Sequence, residues 1–368
     1  MVIINIDYLD VKFPNFSYTI GEIVDDIFKQ KLDDDIRNFA KNDIGIDRVY
    51  KSYDLRKIDV NGTDYLRPEI RLNDMWVQIA EKALRVSNRK PSDIGLLTIL
   101  GGNQQYLLPA PTVEMVSRLG LSKDVRTQNF QGLACSSFSE ALQSAAGHFA
   151  LGYEGDVLVL SSQYSTEWYL NIIRLVDRIS INNKKDFYSF IYFLIFSDVT
   201  GVAIISKADN EAKSLVKIDT KTIFSRKDTS ANSYKKAKVE LASDKKHRMI
   251  FDFDINPGLL KKSVADLSSE NIFHLQKKFP TDFKNVKFWG FHAAGSPFLD
   301  FVIEKCGIDK EKAKFTFDVM RETGNTGTVS SLQLIKESLD KKILKKGEIG
   351  GIVDYGWEGA DSFLYHVQ

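Results

Sequence analysis

The segment Asn129–Gly152, NFQGLACSSFSEALQSAAGHFALG, decides how the rest of the chain is read. An extended stretch gives way there to a helical pattern rich in small residues, and Cys135 stands at the change. Only one other cysteine, Cys306, occurs in 368 residues. Unpaired backbone N–H groups at a helix start, with the positive end of the helix dipole, favour a thiolate over a thiol. A cysteine at such a place is equally explained as a small apolar residue with no chemistry. The choice turns on its partners.

Composition sets the frame. A content of 43% hydrophobic and 27% charged residues is that of a globular chain with a large core, long enough for two ordinary domains or one large one. Lysine and arginine total 50 against 49 acidic residues, a net charge of +1, so neither nucleic acid nor an anionic membrane is expected as a partner. Two cysteines make no disulfide framework and fit a reducing compartment. The start MVIINIDYLDVK has no basic run followed by an apolar one, so no secretory signal is expected. The apolar run FYSFIYFLIF, Phe187 to Phe196, is about half the length a membrane helix needs, and its aromatic and β-branched content reads as a buried strand. A cytoplasmic location is expected.

Strands and helices alternate on both sides of the cysteine segment. RLNDMWVQIAEKALRVS reads as a helix, DIGLLTIL (Asp93 to Leu100) as a buried strand, and DVLVLSS (Asp156 to Ser162) as the strand after the cysteine helix. Lys227 to Arg248 is polar and reads as a loop-rich connection. The same grammar then returns, with a helix over PGLLKKSVADLSSENIFHLQKKF, a strand at NVKFWGF, helices at SPFLDFVIEKCG and TVSSLQLIKESLDKK, and strands at IGGIVDY and SFLYHV. Two α/β halves, 1–210 and 211–368, are the economical reading.

A thiolate needs a base or a cation, so the five histidines are searched next. His148 lies thirteen residues along the same helix, about 20 Å away, too far to be a partner. Surface or packing roles suffice for His247, His274 and His366. His292, in VKFWGFHAAGSPFLD, stands where a strand ends and a small-residue turn enters a helix, the place where open α/β sheets put chemistry. Asn325, between glycines in ETGNTGTVSSLQL, is by itself an ordinary helix cap. A cysteine, a histidine and an asparagine each at an element junction form a candidate constellation.

At these residues the sequence resembles the thiolase superfamily, in particular the ketoacyl synthase III and type III polyketide synthase branch. QGLACSS is similar to the nucleophile motif, HAAGSPFLD to the histidine motif and GNTGTVS to the asparagine motif, and the likeness runs from about Ala80 to the C-terminus. It implies the thiolase fold, an α/β architecture in which two similar βαβαβαββ halves form a five-layered α/β/α/β/α sandwich, usually as a homodimer. It also implies that Cys135 accepts an acyl group from coenzyme A or an acyl carrier protein. His292 and Asn325 would then hold the thioester carbonyl of a malonyl-type or β-ketoacyl extender while a decarboxylating Claisen condensation proceeds. Donors aimed at a developing oxyanion commonly contribute roughly 3 to 4 kcal/mol each. No bound cofactor and no metal are implied; the coenzyme A or phosphopantetheine thioester is substrate.

Further residues follow from the resemblance. The resemblance implies that Phe251 takes the place of a gatekeeping phenylalanine before the PG turn, that Leu108 in QQYLLPAPT approaches a partner subunit's pocket, and that Arg48 and Lys51 lie where phosphates of coenzyme A or the carrier arm are contacted. DYGWEGAD replaces a glycine-rich loop behind the cysteine, keeping Gly356 and Gly359 but placing the bulky Trp357 and charged Glu358 where small residues are usual, so Trp357 would reshape the acyl pocket. FSDVTGVAI keeps Asp198 and Gly201 but has Val199 at a glycine position. Two alternatives stay open: an acyltransferase passing the group to an oxygen or nitrogen nucleophile, and a non-catalytic subunit paired with an active paralogue.

Overall fold

The computed structural model describes residues 2–28, 32–57, 68–101, 109–131, 134–166, 184–208, 214–227, 237–241, 247–251 and 257–368. Its strands are β1 (Ile3–Lys12), β2 (Phe16–Thr19), β3 (Arg48–Lys51), β4 (Ile94–Gly101), β5 (Arg126–Gln131), β6 (Asp156–Gln163), β7 (Val199–Lys207), β8 (Val216–Asp219), β9 (Phe224–Lys227), β10 (Ala237–Leu241), β11 (His247–Phe251), β12 (Val286–Phe291), β13 (Ile349–Gly356) and β14 (Gly359–Val367). The helices are α1 (Asp34–Asn42), α2 (Leu72–Val86), α3 (Pro111–Arg118), α4 (Phe138–Ala150), α5 (Lys184–Ile195), α6 (Pro257–Lys278), α7 (Pro280–Asn285), α8 (Ser296–Cys306), α9 (Lys310–Thr323) and α10 (Ser330–Asp340).

Strands β6 and β7 are apolar and β-branched and are buried along almost their whole length, which is what a sheet covered on both faces demands. In the order β5-β4-β6-β7-β1 the first two pairings are parallel and the next two antiparallel. In the order β12-β13-β14-β8 the first pairing is parallel and the next two antiparallel. Each series therefore passes from parallel to antiparallel in the same sense. β8 pairs with β1 as well as with β14, so one ladder runs unbroken across the junction.

Helices complete the layers. On α2, Leu72, Met75, Trp76, Ile79, Ala80 and Ala83 recur at helical spacing and are all buried, packing with Leu97, Leu158 and Val202 of the first sheet region. On the far side α6 and α8 cover β13 and β14 through Val264, Leu299 and Val302. Between the two sheet regions lie α4 and α10, whose Phe138, Leu142, Leu332 and Ile335 share one core with Ile4, Val159, Ile352 and Phe363. Both central helices touch strands from both series. The result is the five-layered thiolase architecture, with the starts of α4 and α10 brought close together at its centre.

Two expectations are corrected. FYSFIYFLIF belongs to a helix, α5, not to a strand. A buried helix can be apolar on every side, and such a run carries no period that separates it from a strand. The connection read as loop-rich at Lys227 to Arg248 contains β10 and the start of β11, with which β10 pairs. No helix among the described residues is long and apolar enough to cross a membrane.

Candidate active site

Cys135 occupies a single 3-10 turn, Ala134–Ser136, just ahead of α4. This turn packs against the end of β13 and against a second 3-10 turn, Gly327–Val329, which precedes α10. Asn325 stands two residues before that second turn. Its backbone is held on both sides, its N–H donating to Ile195 O at 2.7 Å and its carbonyl accepting from Ser197 N at 2.9 Å. Its side-chain Oδ1 accepts from Gly327 N at 2.8 Å. A backbone N–H can only donate, so the oxygen must face Gly327, and the amide NH2 is left as the outward-facing donor. Gly327 is required: its φ is +53°, and a Cβ there would lie 1.9 Å from Gln163 Oε1.

His292 follows the last residue of β12. Its N–H donates to Val353 O at 2.9 Å, and its carbonyl accepts from the Tyr355 hydroxyl at 2.6 Å. The Tyr355 ring packs edge-on to the imidazole with centroids 5.4 Å apart, and Tyr355 also lies within electrostatic reach of Cys135. Burial depresses the His292 pKa to about 3, so the ring is neutral and each tautomer offers one N–H donor. Its Nδ1 is buried with no hydrogen-bond partner among the described residues.

The thiol does not behave as a helix-start thiolate. Burial pushes its pKa well above the ordinary value, and Glu358 and then Asp354 add to the rise. Two residues separate Cys135 from Phe138, so the dipole of α4 acts at a distance while two carboxyl groups act nearby. Cys135 nonetheless keeps part of its surface open. Cys306 is buried in the C-terminal core, its thiol raised to about 12 by burial.

The departure in DYGWEGAD becomes a two-residue hairpin between β13 and β14, with Gly356 paired to Gly359. Trp357 lies half-buried against the C-terminal core. Glu358 turns inward toward the Cys135 turn, its Oε1 accepting from Ser136 N at 2.9 Å and from Ser136 Oγ at 2.5 Å. A Cβ at Gly356 would lie 2.7 Å from Glu358 Oε2 and 3.1 Å from the Cys135 amide nitrogen, so glycine is needed where the hairpin meets the Cys135 turn. Two further carboxyls from the same hairpin are buried. Asp354 accepts from Ser331 Oγ and Asp361 from Ser139 Oγ. Burial raises all three carboxyl pKa values, and their mutual repulsion adds to the rise in Asp354 and Glu358. Their seats near the starts of α4 and α10 set them against the positive helix ends.

The remaining candidates separate. Lys51 is withdrawn from any phosphate: it is fully buried, and Nζ donates to Phe193 O at 2.6 Å and Phe196 O at 2.7 Å at the end of α5. Burial lowers its pKa to about 8. Its position is structural, and the expected surface contact is corrected on that ground. Arg48 is half-buried with one guanidinium nitrogen donating to Ser17 Oγ at 3.0 Å. Phe251 ends β11 opposite Ala237; the placement of its ring lies outside what is described. Leu108 lies outside the described residues. No motif marks Tyr355, and in sequence Glu358 stands out only as a charge where small residues are usual. The charge in an otherwise glycine-rich loop was the signal that it has a specific seat. Among the described residues no cluster could hold a metal ion.

No protein-family model matches the chain. In sequence it is similar to a β-ketoacyl-[acyl-carrier-protein] synthase III of Clostridium botulinum, 21% identical over 288 residues that cover 77% of this chain and 79% of that protein. In structure it is similar to 3-oxoacyl-(acyl carrier protein) synthase III, FabH, of Xanthomonas oryzae, with TM-score 0.79, 18% identity, and the whole of both chains covered. It is also similar to a variant of OleA from Xanthomonas campestris, with TM-score 0.81, 18% identity, and 100% of this chain and 98% of that one covered. The chain is thus ketoacyl synthase III-like in sequence and has the thiolase fold of these condensing enzymes.

Proposed function

We propose that the protein is an acyl-thioester condensing enzyme that loads an acyl group on Cys135 and joins it to the enolate of a malonyl-type or β-ketoacyl thioester. Cys135 attacks the thioester of coenzyme A or of a carrier protein's phosphopantetheine arm. The neutral His292 imidazole and the Asn325 amide then donate to the extender's thioester oxygen, where charge gathers as carbon dioxide leaves. The observation that carries the reading is the fixed orientation of Asn325. Gly327 N–H holds its oxygen, which leaves a preorganised NH2 donor beside the nucleophile turn, and simple acyl transfer has no need of an enolate-stabilising donor. A homodimer, as the resemblance implies, is part of this proposal.

Intact-protein mass spectrometry with a panel of acyl-CoAs and acyl carrier proteins, followed by malonyl thioester, tests it. Asn325→Ala should still gain the acyl mass but release carbon dioxide at least tenfold more slowly, equivalent to about 1.4 kcal/mol or more. Cys135→Ala should take up no acyl mass, while Cys306→Ala loads normally. Wild-type protein that never consumes a malonyl-type donor, yet passes its acyl group to an alcohol or amine, would replace the condensing reading with acyl transfer.

A further inference from the structure

His292 carries a demand that its own strand does not meet. The β12–β13 ladder ends with Phe291 opposite Val353, and His292 adds one further bond, its N–H donating to Val353 O at 2.9 Å. Its carbonyl lies past the end of the ladder. The one donor that reaches it among the described residues is the Tyr355 hydroxyl, at 2.6 Å. The imidazole has a similar need. The torsion that turns a histidine ring is broad, and a hydrogen bond at the second ring nitrogen is what usually fixes it. Nδ1 of His292 is buried and has no such partner among the described residues.

Tyr355 meets both needs. Its ring stands edge-on to the imidazole, with centroids 5.4 Å apart and an interplanar angle of 86°. That ring is itself fixed, stacked on Phe298 of α8 at 5.6 Å and 20°, and the residue is buried. Phenylalanine would serve the packing equally well, so the hydroxyl is the part that packing does not explain. The strand ties Tyr355 to the other side of the site as well. Gly356, the next residue, comes so close to the Cys135 turn that a Cβ there would lie 3.1 Å from Cys135 N. Glu358, across the hairpin turn, accepts from Ser136 N and Oγ. One short hairpin thus grips both His292 and the turn that carries Cys135.

We propose that Tyr355 is the positioning residue for His292, holding the imidazole where it donates to the extender's thioester oxygen. The inference rests on the condensing-enzyme reading and names what sets one of its two donors. Tyr355 acts through His292 and moves no proton. The Asn325 amide is preorganised by the Gly327 N–H. His292 has no equivalent bond at Nδ1, and the hydroxyl and ring of Tyr355 take that place. A donor aimed at a developing oxyanion works over a narrow range of position, and a misplacement of about 1 Å can cost ~10²-fold in rate. Acyl loading makes no such demand on His292, because the extender is absent while Cys135 is loaded. Loss of the hydroxyl therefore strikes the decarboxylating half-reaction and spares the first.

The test follows two reactions in wild type, Tyr355→Phe, His292→Ala, the double variant and Tyr365→Phe. They are acyl loading of Cys135 from acetyl-CoA and octanoyl-CoA, read by intact mass, and carbon dioxide release from malonyl-CoA. Tyr365 is buried on β14 at the end of the hairpin opposite its turn, with its hydroxyl 3.1 Å from Ser338 Oγ, and controls for the loss of a buried hydroxyl elsewhere. Tyr355→Phe should lower kcat for decarboxylation roughly tenfold with KM within twofold of wild type, the mark of an interaction made in the transition state. Its loading rate should stay within twofold. On the His292→Ala background the same change should cost less than a further twofold, since the ring it positions is gone. Tyr365→Phe should lower the urea midpoint and leave both rates alone. Tyr355→Phe that decarboxylates at the wild-type rate, or that slows both reactions equally, overturns the inference. So does a full further loss on the His292→Ala background, or an equal fall in decarboxylation with Tyr365→Phe. Wild-type protein that loads Cys135 yet never consumes a malonyl-type donor overturns the condensing reading itself, and the inference with it.

Discussion

At the scale of single residues, the same charge means different things at different depths. Lys51 reads in sequence as one more cation in IDRVYKSYDLRK, yet its ammonium is spent on the last carbonyls of α5 and sits 4.5 Å from the Phe193 ring centre. It also lies near the buried Asp198, whose carboxylate accepts from Ser52, Ser165 and Thr166 N–H groups at 2.8 to 2.9 Å. Lys51→Met would leave two carbonyls without donors and that carboxylate without its cation. The expected loss is about 2 kcal/mol, two unmade hydrogen bonds partly offset by no longer burying a charge. Urea denaturation should show the lower midpoint, and KM for an acyl-CoA substrate should stay within twofold of wild type. A KM rise of tenfold without loss of stability would restore the phosphate-binding role. The element junctions at Asn325 and His292 were legible because short motifs flank them. Lys51 was misread because burial is a property of the neighbours, which one segment does not contain.

Among elements, the hairpin of β13 and β14 carries most of what the sequence left unsaid. Its strands were plain from IGGIVDY and SFLYHV, but three inward carboxyls against two helix starts become visible only when α4 and α10 are placed beside them. The misreading of α5 has a related cause. FYSFIYFLIF packs into a core shared with N-terminal residues, with Phe190 and Phe193 both on Phe28, and its half-buried positions Tyr188, Ile191 and Tyr192 are aromatic or apolar too, so no helical period survives. The hairpin gives a pH prediction whose sign is fixed. Asp354 has a folded pKa raised from 3.8 to about 8, chiefly by burial, so the folded state holds its proton more tightly than the unfolded chain. Stability from this group is fully present below about pH 4 and is lost as pH rises to 8. Asp354→Asn, which can still accept from Ser331, should flatten that decline. Between pH 5 and pH 8 the variant should lose at least about 1 kcal/mol less than wild type in urea titrations, one pKa unit being worth about 1.4 kcal/mol. Parallel pH dependence in the two proteins would show that Asp354 is ionised in the fold without penalty.

For the molecule as a whole, the site exists because two sheet regions close on the same pair of helices. β7 and β12 approach the start of α10 from opposite sides, and each carries a glycine there. A Cβ at Gly201 would lie 2.8 Å from Val329 Cγ1 and 2.9 Å from Leu332 Cδ1, and one at Gly290 would lie 3.3 Å from Leu334 Cβ. The turn Gly327–Val329 is therefore seated directly on the first sheet region, and with it the strand-like grip on Asn325. Gly201→Ala should force Val329 and α10 outward. Overpacking of this kind costs about 1–3 kcal/mol. The displaced turn should slow carbon dioxide release from malonyl thioester more than acyl loading on Cys135, since Asn325 moves with the turn while Cys135 is held by α4 and the hairpin. Gly147, inside α4 and with no atom within 4 Å of a built Cβ, supplies the opposite case. Gly147→Ala should raise stability by about 0.5–1 kcal/mol and leave the loading rate alone. Thermal denaturation of both variants beside single-turnover loading and decarboxylation separates the two effects. If Gly201→Ala slows loading and decarboxylation by the same factor, the nucleophile turn and the asparagine turn move as one body, and the seat of Asn325 on β7 is not what sets its reach.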